Sequence, residues 1–310
     1  MLGLFLQPDA VAAISAMDLP IDVKPHCAEV IWKGYTIIRN AIPAEKCARI
    51  INEFRAFEQR NDEIFSANRD QDGHYPRIVN LHTALPSLTT LFTRNDLLLT
   101  VSDLLFGRAT SLYTTLFYET GSQQPIHRDS PVFSTRPEYL YFGNTIYLEP
   151  ANDENGCLEV IEGGHLVGEL DRERLATDHY GSLDDVKSMD GDLWIKYQDT
   201  VVARCDGRGL KSKRLHVGAG DSLIWHPQLP HGGSPIRDRT KTRFSIVMHT
   251  TPEGVPVYHQ DAFFRPNTPY PETPHWRYRE VDGRQVVEHQ GISFDHVNDY
   301  PLDAFRSLGP

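Results

Sequence analysis

Hydrophobic and polar positions change rhythm once along this chain. Between residues 44 and 59 (AEKCARIINEFRAFEQ), Cys47, Ile50, Ile51, Phe54 and Phe57 recur at helical spacing behind Pro43, a favoured helix start, so the pattern predicts an amphipathic helix. Residues 9–17 and 95–106 predict shorter helices. Val30 to Asn40 (VIWKGYTIIRN) has the apolar, β-branched character of a strand after Gly34, while the polar, acidic stretch Asn61 to Gly73 predicts a loop. From Ser111 onward the segments become strand-like. Ser111–Tyr118, Asn144–Leu148, Cys157–Ile161, Leu193–Arg204, Arg214–Val217, Ser222–Trp225 and Arg243–His249 are short, β-rich and bounded by Gly, Pro, Asn or Asp. Helices followed by many short strands imply an α-helical layer on a β-sandwich or barrel. The tail beyond about residue 250 is rich in Pro, His and aromatics without clear periodicity, and neither an internal repeat nor a Gly/Ser linker divides the chain.

Composition narrows the partners more than the fold. A chain of 310 residues fits one large domain or two small ones, and 40% hydrophobic with 24% charged residues is ordinary for a soluble globular protein. The net charge of −11 argues against an extended nucleic-acid surface, which needs clustered Lys and Arg. A small anionic substrate remains compatible, since one or two well-placed arginines suffice. The basic run Arg208–Arg214 (RGLKSKR) reads as a solvated hairpin tip. Cys27, Cys47, Cys157 and Cys205 form no CxxC pair, which excludes a zinc knuckle or a disulfide scaffold. The N-terminus has no basic n-region and is broken early by Pro8-Asp9, and no stretch approaches the length of a membrane span. The expectation is a cytoplasmic protein without nucleic-acid or membrane partners.

The chemistry rests on an ordered set of polar residues. His-x-Asp is a weak motif, and the chain has two copies, His127-Arg128-Asp129 and His259-Gln260-Asp261. The first follows a strand and a turn; residues two apart in an extended segment share a face, so His127 and Asp129 can ligate one ion together. Downstream, Gly220-Asp221 leads into a strand, and His231 follows beside Gly232 and Gly233, where the backbone can pack closely behind a ligand. Arg243 comes twelve residues later at the head of an apolar strand, and its planar fork suits a carboxylate. Two histidines and one carboxylate leave three adjacent positions open on iron, as oxygen activation requires.

With these residues in place, the sequence resembles the phytanoyl-CoA dioxygenase-like branch of the 2-oxoglutarate-dependent oxygenases. The stretch Asn155-Gly156-Cys157-Leu158-Glu159-Val160-Ile161-Glu162-Gly163-Gly164-His165 is similar to that family's pattern, with Gly164 where Ser or Thr is usual. Gly220-Asp221 and the early Gly34–Ile38 strand followed by a helix also match, and the resemblance spans about residues 30 to 250. It implies a mainly β fold with flanking α-helices and a double-stranded β-helix (jelly-roll, cupin-like) core. Residues 1–310 would be a single oxygenase domain, with an N-terminal helical/strand layer to about 110, the core at about 111–250 and a tail at 251–310 lining the substrate pocket.

Carried over position by position, the resemblance makes His127, Asp129 and His231 the Fe(II) ligands and Arg243 the clamp on 2-oxoglutarate. Thr145 falls where a cofactor-lining side chain is common, and Ser245 shares the face of Arg243. Arg77, His74 and His82 (DGHYPRIVNLHT) are substrate candidates, as is His259 if it serves as a lid residue rather than a chance second motif. His226 is expected to be a buried or supporting residue, His165 a structural hydrogen-bonder, and Trp225 and Phe244 core. The implied reaction, with O2 as co-substrate, hydroxylates, demethylates or desaturates a small polar metabolite or natural-product intermediate and releases succinate and CO2. Retention of Asp129 favours oxygenation over halogenation, where a small residue replaces the carboxylate. The rival expectations are a cupin-like metal-binding protein without oxygenase activity, which has no need of Arg243, and a protein or peptide hydroxylase with an open groove.

Overall fold

The computed structural model describes residues 3–258, 260–265, 269 and 276–308. The chain begins with α1 (Ala10–Ala16), α2 (Val23–Lys33), β1 (Tyr35–Ile38), α3 (Ala44–Arg60) and α4 (Asp62–Ser66). The strand expected after Gly34 is β1, and the residues before it belong to α2, which runs up to Gly34, whose φ of 87° closes the helix as few other residues could. Helix α3 buries Cys47, Ile50, Phe54 and Phe57, the stripe visible in the sequence. Helix α4 occupies part of the expected loop, packing Phe65 under an otherwise polar turn.

Next come β2 (Ile78–Val79), α5 (Pro86–Thr93), α6 (Asp96–Phe106), β3 (Thr110–Tyr118), β4 (Phe142–Tyr147), β5 (Leu158–Ile161), α7 (Arg172–Tyr180) and α8 (Gly191–Gly207). The strand expected at Leu193–Arg204 is thus a helix. Asp190 caps α8 by accepting from the Leu193 N–H, and Leu193, Tyr197, Val201 and Cys205, four apart, bury one face. The β-branched residues between them suggested a strand, but burial at a period of four decides the element. The basic run expected at a hairpin tip instead joins the end of α8 to β6 (Ser212–Leu215).

The chain continues through β7 (Ser222–Trp225), β8 (His231–Gly233), β9 (Ser245–Pro252), α9 (Gln260–Phe264), β10 (Tyr278–Val281), β11 (Arg284–Val287), β12 (Gly291–Phe294) and β13 (Asn298–Pro301). The aperiodic tail therefore carries strands, each only four residues long, too short for alternation to show.

A large sheet runs in the order β1-β7-β4-β9-β3-β2-β12-β13, with the β10–β11 hairpin attached to β3; the small sheet is β6-β5-β8. Nearly all pairings are antiparallel; the bridge from β11 to β3 is parallel. Period-two alternation splits the large sheet's residues between two clusters. Phe142, Ile146, Ile224, Ile246 and Met248 pack against the helical layer with Phe54, Leu88 and Leu98. Tyr147, Leu223 and Trp225 face the small sheet, meeting Cys157, Val160 and Leu215. Each such side chain contributes about 1.5–3 kcal/mol on burial. Two antiparallel sheets face to face with helices on one outer side make the expected jelly-roll. Among the described residues, no helix is long and apolar enough to cross a membrane.

Inside the roll lies a cavity of about 960 Å³, walled by inward residues of both sheets and by Gln290, Gly291, Ile292 and Ser293 at the start of β12. One glycine sets its floor. Gly143 pairs with Trp225 across β4 and β7, and a Cβ there would lie 2.0 Å from the indole. Gly143→Ala is expected to displace Trp225 and destabilise the fold by about 1–3 kcal/mol. Urea unfolding measures this, and an unchanged midpoint would mean the indole is free to move.

Candidate metal centre

Backbone pairing brings the distant histidines together. The His127 N–H donates to the His231 carbonyl at 2.8 Å and the His231 N–H donates back at 2.9 Å, an antiparallel bridge between the 122–128 segment and β8. Close approach here depends on Gly232, where a Cβ would sit 2.6 Å from the Gln124 carbonyl oxygen. One ligand atom each from His127, Asp129 and His231 then falls within 4.8 Å of the others. His127 Nε2 is 3.6 Å from Asp129 Oδ1, and His231 Nε2 is 3.7 Å from Asp129 Oδ2. All three side chains are nearly buried.

The surrounding hydrogen bonds aim these atoms. His127 Nδ1 bonds to the Pro125 carbonyl at 2.8 Å and His231 Nδ1 to the Leu229 carbonyl at 2.9 Å. A carbonyl only accepts, so both Nδ1 atoms carry the proton and both Nε2 lone pairs turn to the centre. Asp129 Oδ2 accepts from the Tyr141 hydroxyl at 2.9 Å and from Trp225 Nε1 at 2.8 Å, which occupies that oxygen and leaves Oδ1 for an ion. Tyr141 also contacts His249 Nδ1 in a short hydrogen bond.

Burial alone would push the Asp129 carboxyl up. The positive potential of His231 and His127 outweighs it and holds the group well below the usual carboxylate range. Burial lowers His231, while for His127 the Asp129 hydrogen bond and charge overcome burial and raise it. Two imidazole lone pairs and an ionised carboxylate, oriented and nearly dry, fit a divalent transition metal that prefers mixed N/O donors.

Arg243 lies just before β9 on the wall of the same cavity. It is buried, its Nη1 donates to the Gly156 carbonyl at 2.6 Å, and its Nε has no partner. Among the described residues it has no carboxylate partner. A buried guanidinium without a counter-ion calls for an anionic ligand. Thr145 on β4 lines the cavity too, whereas Ser245 is fully buried and lies outside the lining, its hydroxyl unpartnered. Alternation puts Ser245 on the Arg243 face, and the sheet pairs it between Tyr118 and Tyr147, whose larger side chains line the cavity on either side of it.

The substrate candidates divide. Arg77 lines the cavity and pairs with Asp295 at 2.6 Å. His74 instead faces an adjoining cleft, bonded to the Arg239 carbonyl at 3.2 Å. His82 is an interior residue, wholly buried with Nδ1 on Thr115 Oγ1 at 2.8 Å, because its helical turn is tucked behind β3. His259 lies outside the described residues, and its motif partner Asp261 binds the Ser188 hydroxyl and the Met189 N–H, away from the triad. His165 bonds to the Ile31 carbonyl at 2.8 Å, and buried His226 packs against it.

Three functional positions escaped the sequence reading. Trp225 is a core residue as expected, and it also donates to Asp129 and lines the cavity. Tyr141 had no signal, lying just upstream of a strand with nothing to mark its hydroxyl. His249 did have one, since it continues the two-residue alternation from Arg243.

Comparison with known proteins follows from this geometry. The phytanoyl-CoA dioxygenase (PhyH) family matches residues 32–245. No curated protein matches the sequence. The non-heme α-ketoglutarate-dependent epimerase SnoN from nogalamycin biosynthesis, solved with Fe3+, α-ketoglutarate and nogalamycin RO, aligns with a TM-score of 0.59 at 14% identity, covering 87% of this chain and 99% of its own. The carbocyclase SnoK from the same biosynthesis gives 0.55 at 15% identity, covering 83% and 93%. EctD from S. alaskensis, solved with 2-oxoglutarate and 5-hydroxyectoine, gives 0.56 at 13% identity, covering 80% and 81%. At these identities the likeness establishes a shared fold.

Tyr141→Phe removes one donor from Asp129 and frees Oδ2 to turn. The expected result is a loss of about 10-fold or more in divalent-metal affinity with the fold intact, read by Mn(II) titration and circular dichroism. Wild-type affinity in this variant would show that the hydroxyl does not orient the carboxylate.

Proposed function

The chain belongs to the phytanoyl-CoA dioxygenase family, and from that premise we propose that it is an Fe(II)- and 2-oxoglutarate-dependent dioxygenase. Its substrate is a small polar metabolite or natural-product intermediate, which it hydroxylates, or oxidatively demethylates or desaturates, with release of succinate and CO2. One observation carries the reading: the His127/Asp129/His231 cluster and the unpaired, buried Arg243 line a single cavity. A metal-binding protein without oxygenase activity has a use for the first and none for the second.

In this mechanism His127 Nε2, His231 Nε2 and Asp129 Oδ1 would hold the iron, and Arg243 would receive the far carboxylate of 2-oxoglutarate, with Thr145 on the same wall. When bound, iron and 2-oxoglutarate together supply the oxidising power that activates O2 against a substrate C–H bond. The chain's own residues do the rest. The carbonyls of Pro125 and Leu229 keep the imidazoles in the ligating tautomer. Tyr141 and Trp225 occupy Oδ2 and so keep Asp129 from taking a second coordination position. Aromatic and aliphatic wall residues such as Phe133, Trp194 and Val247 exclude water. Retention of Asp129 leaves no vacant ligand place for a halide, which supports oxygenation.

The substrate class rests on shape and on the relatives. Gln290 to Ser293 close one side of the cavity, which favours an enclosed small molecule over a chain laid in a groove. SnoN and EctD were solved with small-molecule ligands. This lining also supports reading residues 1–310 as one functional unit, the tail completing the pocket. Four buried, unpaired cysteines fit a cytoplasmic setting.

Anaerobic addition of Fe(II) and 2-oxoglutarate is expected to give a weak visible charge-transfer band. Arg243→Ala should weaken 2-oxoglutarate binding by about 10-fold or more, on the order of the 1.5–3 kcal/mol of a charged hydrogen bond. An intact protein that gives no band would sink the oxygenase assignment. Succinate formation across a panel of small polar metabolites then identifies the substrate, and stimulation by peptides alone would favour the protein-hydroxylase reading.

A further inference from the structure

His249 is a polar residue of the cavity that the mechanism above leaves without a task. It stands on β9 at the cavity wall, nearly buried, its ring stacked on Phe133 with centroids 4.0 Å apart. One ring nitrogen is engaged: Nδ1 meets the Tyr141 hydroxyl. The other, Nε2, is buried and has no partner, a state that is unfavourable unless something satisfies it.

Counting protons settles what that nitrogen can accept. The Tyr141 hydroxyl has one hydrogen, and Asp129, an ionised carboxylate, can only accept, so the hydrogen goes to Asp129 Oδ2. Tyr141 must then act as acceptor toward His249, and the shared hydrogen is the one on His249 Nδ1. Burial pushes the His249 pKa down to about 4, so the ring is neutral and carries no second proton. Nε2 is left as a bare lone pair. We infer that His249 is a specificity-determining residue, its Nε2 receiving a hydrogen bond from a substrate O–H or N–H group in the cavity. Nε2 has almost no exposed surface in this conformation, so the His249 ring has to tilt toward the cavity for a donor to reach it; a hydroxyl or N–H can then bond, whereas an ether or a carboxylate has no hydrogen to offer. This deepens the oxygenase proposal and rests on it for calling the cavity a substrate chamber.

The test uses full-length protein labelled with 15N-histidine and loaded with Zn(II), with the His249 lines assigned by their loss in His249→Gln. The expected spectrum shows His249 protonated at Nδ1 and bare at Nε2. Saturating phenol should shift the Nε2 line, and anisole, equal in shape but lacking the hydrogen, should not. Tyr141→Phe, which removes the acceptor for Nδ1, should release the ring into a mixture of tautomers. A proton on Nε2 in the wild type, or equal responses to phenol and anisole (both or neither), overturns the inference. The same spectrum keeps the two claims apart: Zn(II) that leaves the His127 and His231 lines unmoved defeats the metal centre, while the His249 tautomer is still read.

Discussion

A negative charge buried between two sheets is the constraint on which the rest of this site depends. Asp129 is nearly buried and only one edge of it meets the cavity, and a carboxylate so placed needs compensation from fixed donors and cations. Tyr141 and Trp225 supply two hydrogen bonds and two imidazoles stand within 3.7 Å. Each supporting group comes from a different part of the chain, so the carboxylate gathers the 122–128 segment, the residue just before β4, and strands β7 and β8 around one point. Arg128, between the two ligands, extends this outward. It is wholly buried; its guanidinium bonds to the Gly164 and Gly168 carbonyls, and its backbone exchanges hydrogen bonds with the Gln198 side chain on α8. The peptide carrying the ligands is therefore clamped on both faces.

The jelly-roll makes such convergence inexpensive because alternation does the sorting. Along β9, Ile246 and Met248 go to the helical layer, while Val247 and His249 go to the cavity. Along β7, Ile224 joins the helical layer, and Leu223 and Trp225 face the small sheet. A single strand thus builds hydrophobic core with one set of residues and the reactive wall with the other, and neither set can shift without the other following.

How much of this is legible in the sequence depends on the length over which each signal is spread. The long amphipathic helix Ala44–Arg60 is legible because five apolar positions repeat a full stripe. Leu193–Arg204 misleads because Ile195, Val201 and Val202 give it β-branched character, whereas its buried face, Val201 included, repeats every four as in a helix. The convergence of His127, Asp129, His231 and Arg243 on one cavity is legible because the order of four residue types is restrictive even when each motif is weak. The supporting shell is not: Tyr141 and Trp225 act through an angle and a distance that only tertiary packing defines, and a buried indole looks the same in sequence whether or not its N–H has a task. His82 shows the converse, a histidine in a polar-looking stretch that folds inward to bond a threonine.

The pairing of β12 with β2 has a consequence for descent. That pairing joins Ser293 and Phe294 late in the chain to Val79 and Ile78 early in it, and neither strand carries His127, Asp129, His231 or Arg243. The ends of the chain can therefore drift in sequence while the middle stays fixed, and a lineage could exchange one guest molecule for another by rewriting a short terminal hairpin.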